Sequence, residues 1–121
     1  MKKTLLLEDG RAGMTEQGDN ALLLLIAREK DTRAFSVLYA RYHRAVYNLA
    51  WKISRNAESA EDATQETMLR IWRSAATFNP SNRSKNWIFS IAARETLRLL
   101  RKKGNKEKPM ETAAEAGAAT R

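Results

Sequence analysis

The sequence predicts an all-α fold, a compact bundle of about four helices. Three observations carry that expectation. Apolar residues recur at steps of three, four and seven from about residue 19 to 103, no stretch alternates apolar and polar as a half-buried strand does, and the polar connections between periodic stretches are short.

The first helix has its body at Ala21 to Arg28 (ALLLLIAR), with Asp19 or Asn20 capping it by accepting from an orphan backbone N–H. Leu22 to Ile26 is an unbroken apolar run. Five such residues cannot all face one way, so some pack on a second neighbour or form a partner surface. The second helix starts behind Asp31 or Thr32 and runs to about Ser54. Its stripe is Phe35, Leu38, Tyr39, Tyr42, Val46, Leu49 and Ile53, and its opposite face carries Arg33, Arg41, Arg44, Asn48 and Lys52.

The third helix begins near Asn56 to Ser59 and ends near Ala76, ahead of Phe78-Asn79-Pro80. Glu58, Glu61 and Asp62 sit in its first turns, complementing the positive end of the helix dipole. Its stripe runs through Ala60, Ala63 or Thr64, Thr67 or Met68, Ile71 and Trp72, then Ala75. Asn79 to Arg83 (NPSNR) reads as a turn, because Pro and Asn favour that geometry. Ser84 is expected to cap a last helix from Lys85 to about Lys103, striped by Trp87, Ile88, Ile91, Ala92, Glu95 or Thr96 and Leu99, with Gly104 as its stop.

Outside this core, Met1 to Gly18 mixes three Gly with charge and lacks helical periodicity, so residues 1–18 are expected to be a flexible leader, with Met14 a second possible start. MKKTLLL is no signal sequence, because Glu8 and Asp9 end the apolar run after three leucines, short of the roughly 7 to 15 a secretory h-region needs. No stretch approaches the roughly 20 apolar residues of a membrane span. Residues 105–121 end in a small, polar tail, expected to be a linker stub. The folded domain is thus placed at 19–104.

The 121 residues include no Cys, which excludes disulfides, thiolate nucleophiles and cysteine-ligated metals and fits a cytoplasmic location. The formal charge is +8, and its placement matters more than its size. Residues 83–108 hold 9 basic and 2 acidic side chains, whereas residues 1–82 hold 12 and 10. A field so concentrated favours a polyanion, nucleic acid before an anionic membrane.

Converging catalytic groups are missing. His43 is the lone histidine, among Arg41, Tyr42 and Arg44, and reads as a surface residue. The acids Glu58, Glu61 and Asp62 are explained by the helix start they occupy. Neither GxxxxGK[ST] nor GxGxxG occurs. No enzyme, metal site or cofactor is expected.

Two surfaces remain. On the third helix Asp62, Gln65, Glu66, Leu69 and Trp72 or Arg73 share one face, a polar rim around a small apolar centre suited to docking a helix. A solvated face explains its polar members equally well. On the last helix Arg94, Arg98, Arg101, Lys102 and Lys103 lie beside the loop 79–86. Cations with aromatic, Asn and Ser neighbours supply what an unstacked base needs: planes, edge-reading groups and charge for flanking phosphates.

The segments AFSVLYARYHRAVYNLAWKI (34–53), AEDATQETMLRIWR (60–73) and FNPSNRSKNWIFSIAARETLRLLRKK (78–103) together resemble region 2 of bacterial sigma-70 family factors, specifically the compact extracytoplasmic-function group. The most specific piece is DxxQExxxxxW, here Asp62, Gln65, Glu66 and Trp72, followed by the FxP loop and WIFSIA.

The resemblance implies a non-enzymatic role in transcription initiation. Asp62, Gln65, Glu66 and Leu69 would dock on the clamp helices of the largest subunit of core RNA polymerase, with Met68 and Trp72 packed inward. Asn79, Ser81, Asn82, Arg83, Ser84, Lys85 and Asn86, with Arg94 and Arg98, would hold the non-template strand of the promoter minus-ten element around a flipped base. Trp87 falls on the apolar stripe and reads as mainly structural. Capturing an extruded base offsets an unstacking cost of a few kcal/mol. Many family members have Arg-Asn where this chain has Ala93 and Arg94, so its DNA preference is expected to differ. The family also implies an anti-sigma partner and a second, helix-turn-helix domain, region 4, which residues 1–121 do not contain. Two rivals stay open: a non-specific nucleic-acid-binding bundle, and a protein-interaction module with no DNA role.

Overall fold

The computed structural model describes residues 18–107, with side chains through Gly104. The expected leader and linker stub therefore lie outside the described residues, apart from Gly18 and the last turn of the final helix. Four α-helices follow in order: α1 (Asp19–Glu29), α2 (Thr32–Ser54), α3 (Ala57–Ser74) and α4 (Ser84–Glu107), with a 3-10 turn at Ala75–Thr77. The described residues contain no strand, as the sequence predicts. None of their helices is long and apolar enough to cross a membrane.

α2 is the central element, packing on α1, α3 and α4. Its start is fixed by Asp31, whose carboxylate accepts from the backbone N–H of Arg33 at 2.9 Å and of Ala34 at 3.1 Å. Asn56 caps α3 in the same way, accepting from Ser59 at 2.8 Å. α1 and α2 each end on a left-handed residue, Lys30 at φ 50° and Arg55 at φ 57°, and neither is glycine. Each long cation lies over a tryptophan: Lys30 Nζ is 4.8 Å from the Trp72 ring centre and the Arg55 guanidinium 5.0 Å from that of Trp51. Such contacts contribute about 0.5–1 kcal/mol at exposed sites, which offsets much of the left-handed strain.

The apolar run in α1 divides as its crowding requires. Leu22, Leu23 and Ile26 are buried, Leu25 is half-buried, and Leu24 is left 45% exposed. Between α2 and α3 small residues, Ala50, Ala60 and Ala63, form a second cluster against which Tyr47 and Leu99 pack. Thr64, Thr67 and Thr96 are buried but satisfied, each hydroxyl donating at 2.7 Å to the carbonyl four residues back.

Four local expectations need correction. Asp19 and Asn20 lie inside α1, Gly18 occupies its cap position, and no side chain caps there. Both residues reach outward instead, to other elements. Ser84 does not cap α4: the carbonyl of Arg83 accepts the first helical bond, from Trp87 N–H at 3.1 Å, while the Ser84 hydroxyl lies 3.4 Å from Asp19. Gly104 does not stop α4, which runs on to Glu107. A glycine ends a helix only where the chain turns left-handed, and Gly104 lacks that φ. Finally, α3 stops at Ser74 and the 3-10 turn tightens the last residues before Phe78.

Candidate functional site

The expected partner face on α3 is open to solvent. Asp62 and Gln65 are exposed, and Leu69 between them and the helix end is 43% exposed. Gln65 borders a groove of about 490 Å³ between α2 and α3, whose other wall includes Tyr39, His43 and Tyr47. The His43 ring is exposed and stacks on Tyr39 at 5.2 Å, with Nδ1 3.2 Å from the Tyr39 carbonyl. Among the described residues no cluster of His, Cys, Asp and Glu could hold a metal. Met68 is buried, and Trp72 is half-buried edge-on to Phe35 at 5.2 Å.

Glu66 differs from its neighbours. It is half-buried and faces Arg98 of α4, with 3.6 Å between carboxylate and guanidinium. Arg98 also grips Glu95, at 3.0 Å through both Nε and a terminal nitrogen. Glu95 is only 4% exposed and takes a second cation, Arg70 of α3, at 3.5 Å. A buried carboxylate is tolerable only when paired and hydrogen-bonded; here two arginines on two helices supply that. Arg98 is thus an α3–α4 tie, about 21 Å along the helix from Ser84 by its helical rise and far from the 79–86 loop.

The loop itself is built for exposure. Asn79, Ser81, Asn82, Arg83, Lys85 and Asn86 all face solvent. Asn79 shapes it, its side-chain oxygen accepting from Ser81 N–H at 3.0 Å and from the Ser81 hydroxyl at 2.9 Å, while Asn82 N–H donates to the Asn79 carbonyl at 2.8 Å. Asn20 of α1 holds the loop from outside by donating to the Pro80 carbonyl at 3.2 Å. Asp19 anchors the start of α4: it accepts from Arg41 at 2.8 Å, from the Tyr42 hydroxyl and, more weakly, from Ser84. Burial first, and then the hydrogen bond to Asp19, push the Tyr42 hydroxyl up to about 12. Asp19 and Asn20 are the positioning residues that the sequence reading missed, because a carboxylate or amide at a helix start fits a cap equally well.

Where the loop meets the α3–α4 seam a cavity of about 370 Å³ opens, lined by Arg70, Ser74, Thr77, Trp87, Ile91, Arg94 and Glu95. Trp87 is half-buried, tilted on Phe78 at 5.2 Å, so it serves the core and the cavity wall together. Arg94 is exposed and makes no ion pair among the described residues. Of the two arginines expected near the loop, Arg94 lines this cavity together with Trp87, and Arg98 does not. Arg70, Ser74 and Thr77 were not anticipated, although their i, i+4, i+7 spacing does place them on one face.

The sigma-70 region 2 family profile matches residues 38–106. The ECF RNA polymerase sigma factor SigM of Mycobacterium tuberculosis is 36% identical over 103 residues, covering 84% of this chain and 52% of that protein. The ECF RNA polymerase sigma factor RpoE of Cereibacter sphaeroides is 33% identical over 94 residues, covering 74% and 52%, and SigK of Mycobacterium ulcerans 36% over 84 residues, covering 68% and 44%. The chain thus spans about half the length of the curated relatives it matches. No solved structure gives a significant match. With four helices in place, the DxxQE face exposed and the loop and cavity following it, the chain belongs to the sigma-70 region 2 family, within the extracytoplasmic-function group of RNA polymerase sigma factors.

Proposed function

We propose that this chain is a non-enzymatic transcription-initiation module that docks on core RNA polymerase and captures the melted minus-ten strand of a promoter in the cytoplasm. Docking uses Asp62, Gln65 and Leu69 with the exposed edge of Glu66, against the clamp helices of the largest subunit. The groove lined by Gln65 and Tyr47 extends that face onto α2. The non-template strand runs over Asn79, Ser81, Asn82, Arg83, Lys85 and Asn86, with Ser84 holding the helix start through Asp19. An extruded base enters the cavity beside Trp87 and Arg94. Arg98 acts on the strand only indirectly, by fixing α4 on α3. An anti-sigma factor is the expected inhibitory partner, competing for one of these two faces.

The observation that carries the reading is the uncompensated Arg94 guanidinium at a cavity walled by Trp87 and Ile91, on the helix that follows a loop with Asn79, Ser81, Asn82 and Arg83 all exposed. The test is to mix the chain with core polymerase and ask whether the two co-migrate on gel filtration; separate elution overturns the docking role. Salt and strand type separate this reading from non-specific binding. Phosphate binding alone falls steeply with salt and ignores sequence, whereas strand capture retains a preference for one single strand over its scrambled counterpart.

A further inference from the structure

The cavity behind the loop offers different chemistry on its different sides. Of the arginines near it, Arg70 pairs with Glu95 through Nε at 3.5 Å, and Arg98 pairs with both Glu95 and Glu66. Arg94 has no partner among the described residues, so its planar fork of donors is free. The α3 side of the lining holds two hydroxyls whose protons are already used: Thr77 Oγ1 donates to the Ser74 carbonyl at 2.7 Å, and Ser74 Oγ donates to the Arg70 carbonyl. Each therefore presents only acceptor lone pairs outward. The same lining includes the flat Trp87 indole and Ile91.

A ligand filling this space is planar, carries two adjacent acceptors for the fork, and carries donors on another edge for the hydroxyls. Resting on the strand-capture reading above, we infer that the cavity selects guanine as the extruded base and that Arg94 is the residue which specifies it. Guanine alone among the four bases pairs a bidentate guanidinium through O6 and N7, and its N1–H and amino group supply the donor edge. Adenine sets an amino donor beside N7, which meets the fork as donor against donor. Thymine has two carbonyl acceptors, but the N3–H donor separates them and a methyl flanks O4, so it offers no adjacent acceptor pair. Cytosine offers O2 and N3 as an acceptor pair, but only one amino group for two hydroxyls and a single ring against a cavity of about 370 Å³. A phosphate would satisfy Arg94 but leaves Trp87, Ile91 and both hydroxyl acceptors without a partner.

The test uses the full chain and a fluorescently labelled oligothymidylate dodecamer with one central base replaced by guanine, 7-deazaguanine, adenine or cytosine, titrated by anisotropy at low salt. The guanine strand is expected to bind about five- to a hundredfold tighter than the others, the span of a bidentate contact. 7-Deazaguanine keeps the donor edge and lacks only N7, and is expected to lose most of that advantage. Arg94→Lys keeps the charge without the fork and is expected to bind all strands within about twofold of one another. Equal affinity for every strand by the wild-type chain overturns guanine selection while leaving strand capture standing, and Arg94 is then a phosphate clamp. A preference for cytosine, or a guanine preference that survives Arg94→Lys, also overturns it. Absence of binding to any strand overturns both readings.

Discussion

Arg98 of α4 reaches Glu66 of α3 across 3.6 Å, which joins the proposed docking face to the helix that carries the basic end. These two residues would otherwise be assigned to separate surfaces. Their contact is partly solvated on both sides, and exposed pairs contribute about 0.2–1 kcal/mol. The stronger constraint on Arg98 is the buried Glu95 carboxylate at 3.0 Å.

That contrast gives the first prediction. Glu66→Gln leaves stability within about 1 kcal/mol of wild type, because only an exposed pair is lost. Glu95→Gln costs about 1–3 kcal/mol, because hydrogen bonds to charged groups are lost in a buried place. It costs less than stripping both arginines from Glu95, since Arg70 and Arg98 can turn to water when Glu95 is neutral, whereas the buried carboxylate cannot. Urea midpoints read the difference; equal midpoints for the two variants would refute the ranking.

Much of this was legible in the sequence, for a specific reason. α2 and α3 announce themselves because their buried positions repeat with the helical period, and Asp31 leads straight into that pattern. The connections that failed to show are tertiary. Whether Asp19 bonds its own helix or bridges to Arg41 and Tyr42 depends on where α2 passes, which no local pattern encodes. Arg98 looks like any other cation of the basic run: its i, i+3 partner Glu95 is visible on its own helix, but only the register of α4 against α3 sets it opposite Glu66 and buries Glu95. Arg70 likewise reads as a surface charge, although its spacing to Ser74 and Thr77 held the clue to the cavity.

Asp62→Ala with Gln65→Ala separates docking from folding. Both residues are exposed, so the double variant should keep its helix content and unfold within about 1 kcal/mol of wild type, at roughly 0.5 kcal/mol per surface change. Its affinity for core polymerase should fall at least tenfold. Circular dichroism and a pulldown measured on the same preparation decide it; loss of helix would make the pair structural, and unchanged capture would remove this face from docking.

Alkaline pH should act through Tyr42. Its folded-state pKa is raised from 10.0 to about 12, so the folded chain holds a proton that the unfolded chain releases first. The stabilisation this represents is fully present below pH 10 and is lost as pH climbs towards 12. In a tyrosinate absorbance titration one of the three tyrosines should ionise near pH 12, and Tyr42→Phe should delete that late step. Three tyrosines titrating together near 10 in the wild type would contradict the buried bond to Asp19.

Gly104 supplies a prediction whose sign discriminates between two backbone states. A glycine that stops a helix sits at positive φ, where alanine is strained and destabilises. Gly104 lies instead inside α4, without that φ, and a Cβ added to it meets nothing within 4 Å. Alanine there lowers the entropy of the unfolded chain and loses no contact, so Gly104→Ala should stabilise by about 0.4–1 kcal/mol. Fraying of a last turn that ends three residues later puts the expected value towards the lower figure. The urea midpoint should rise and helical ellipticity should hold or increase. A fall in both would place the end of α4 at Lys103, with Gly104 as the left-handed stop after all.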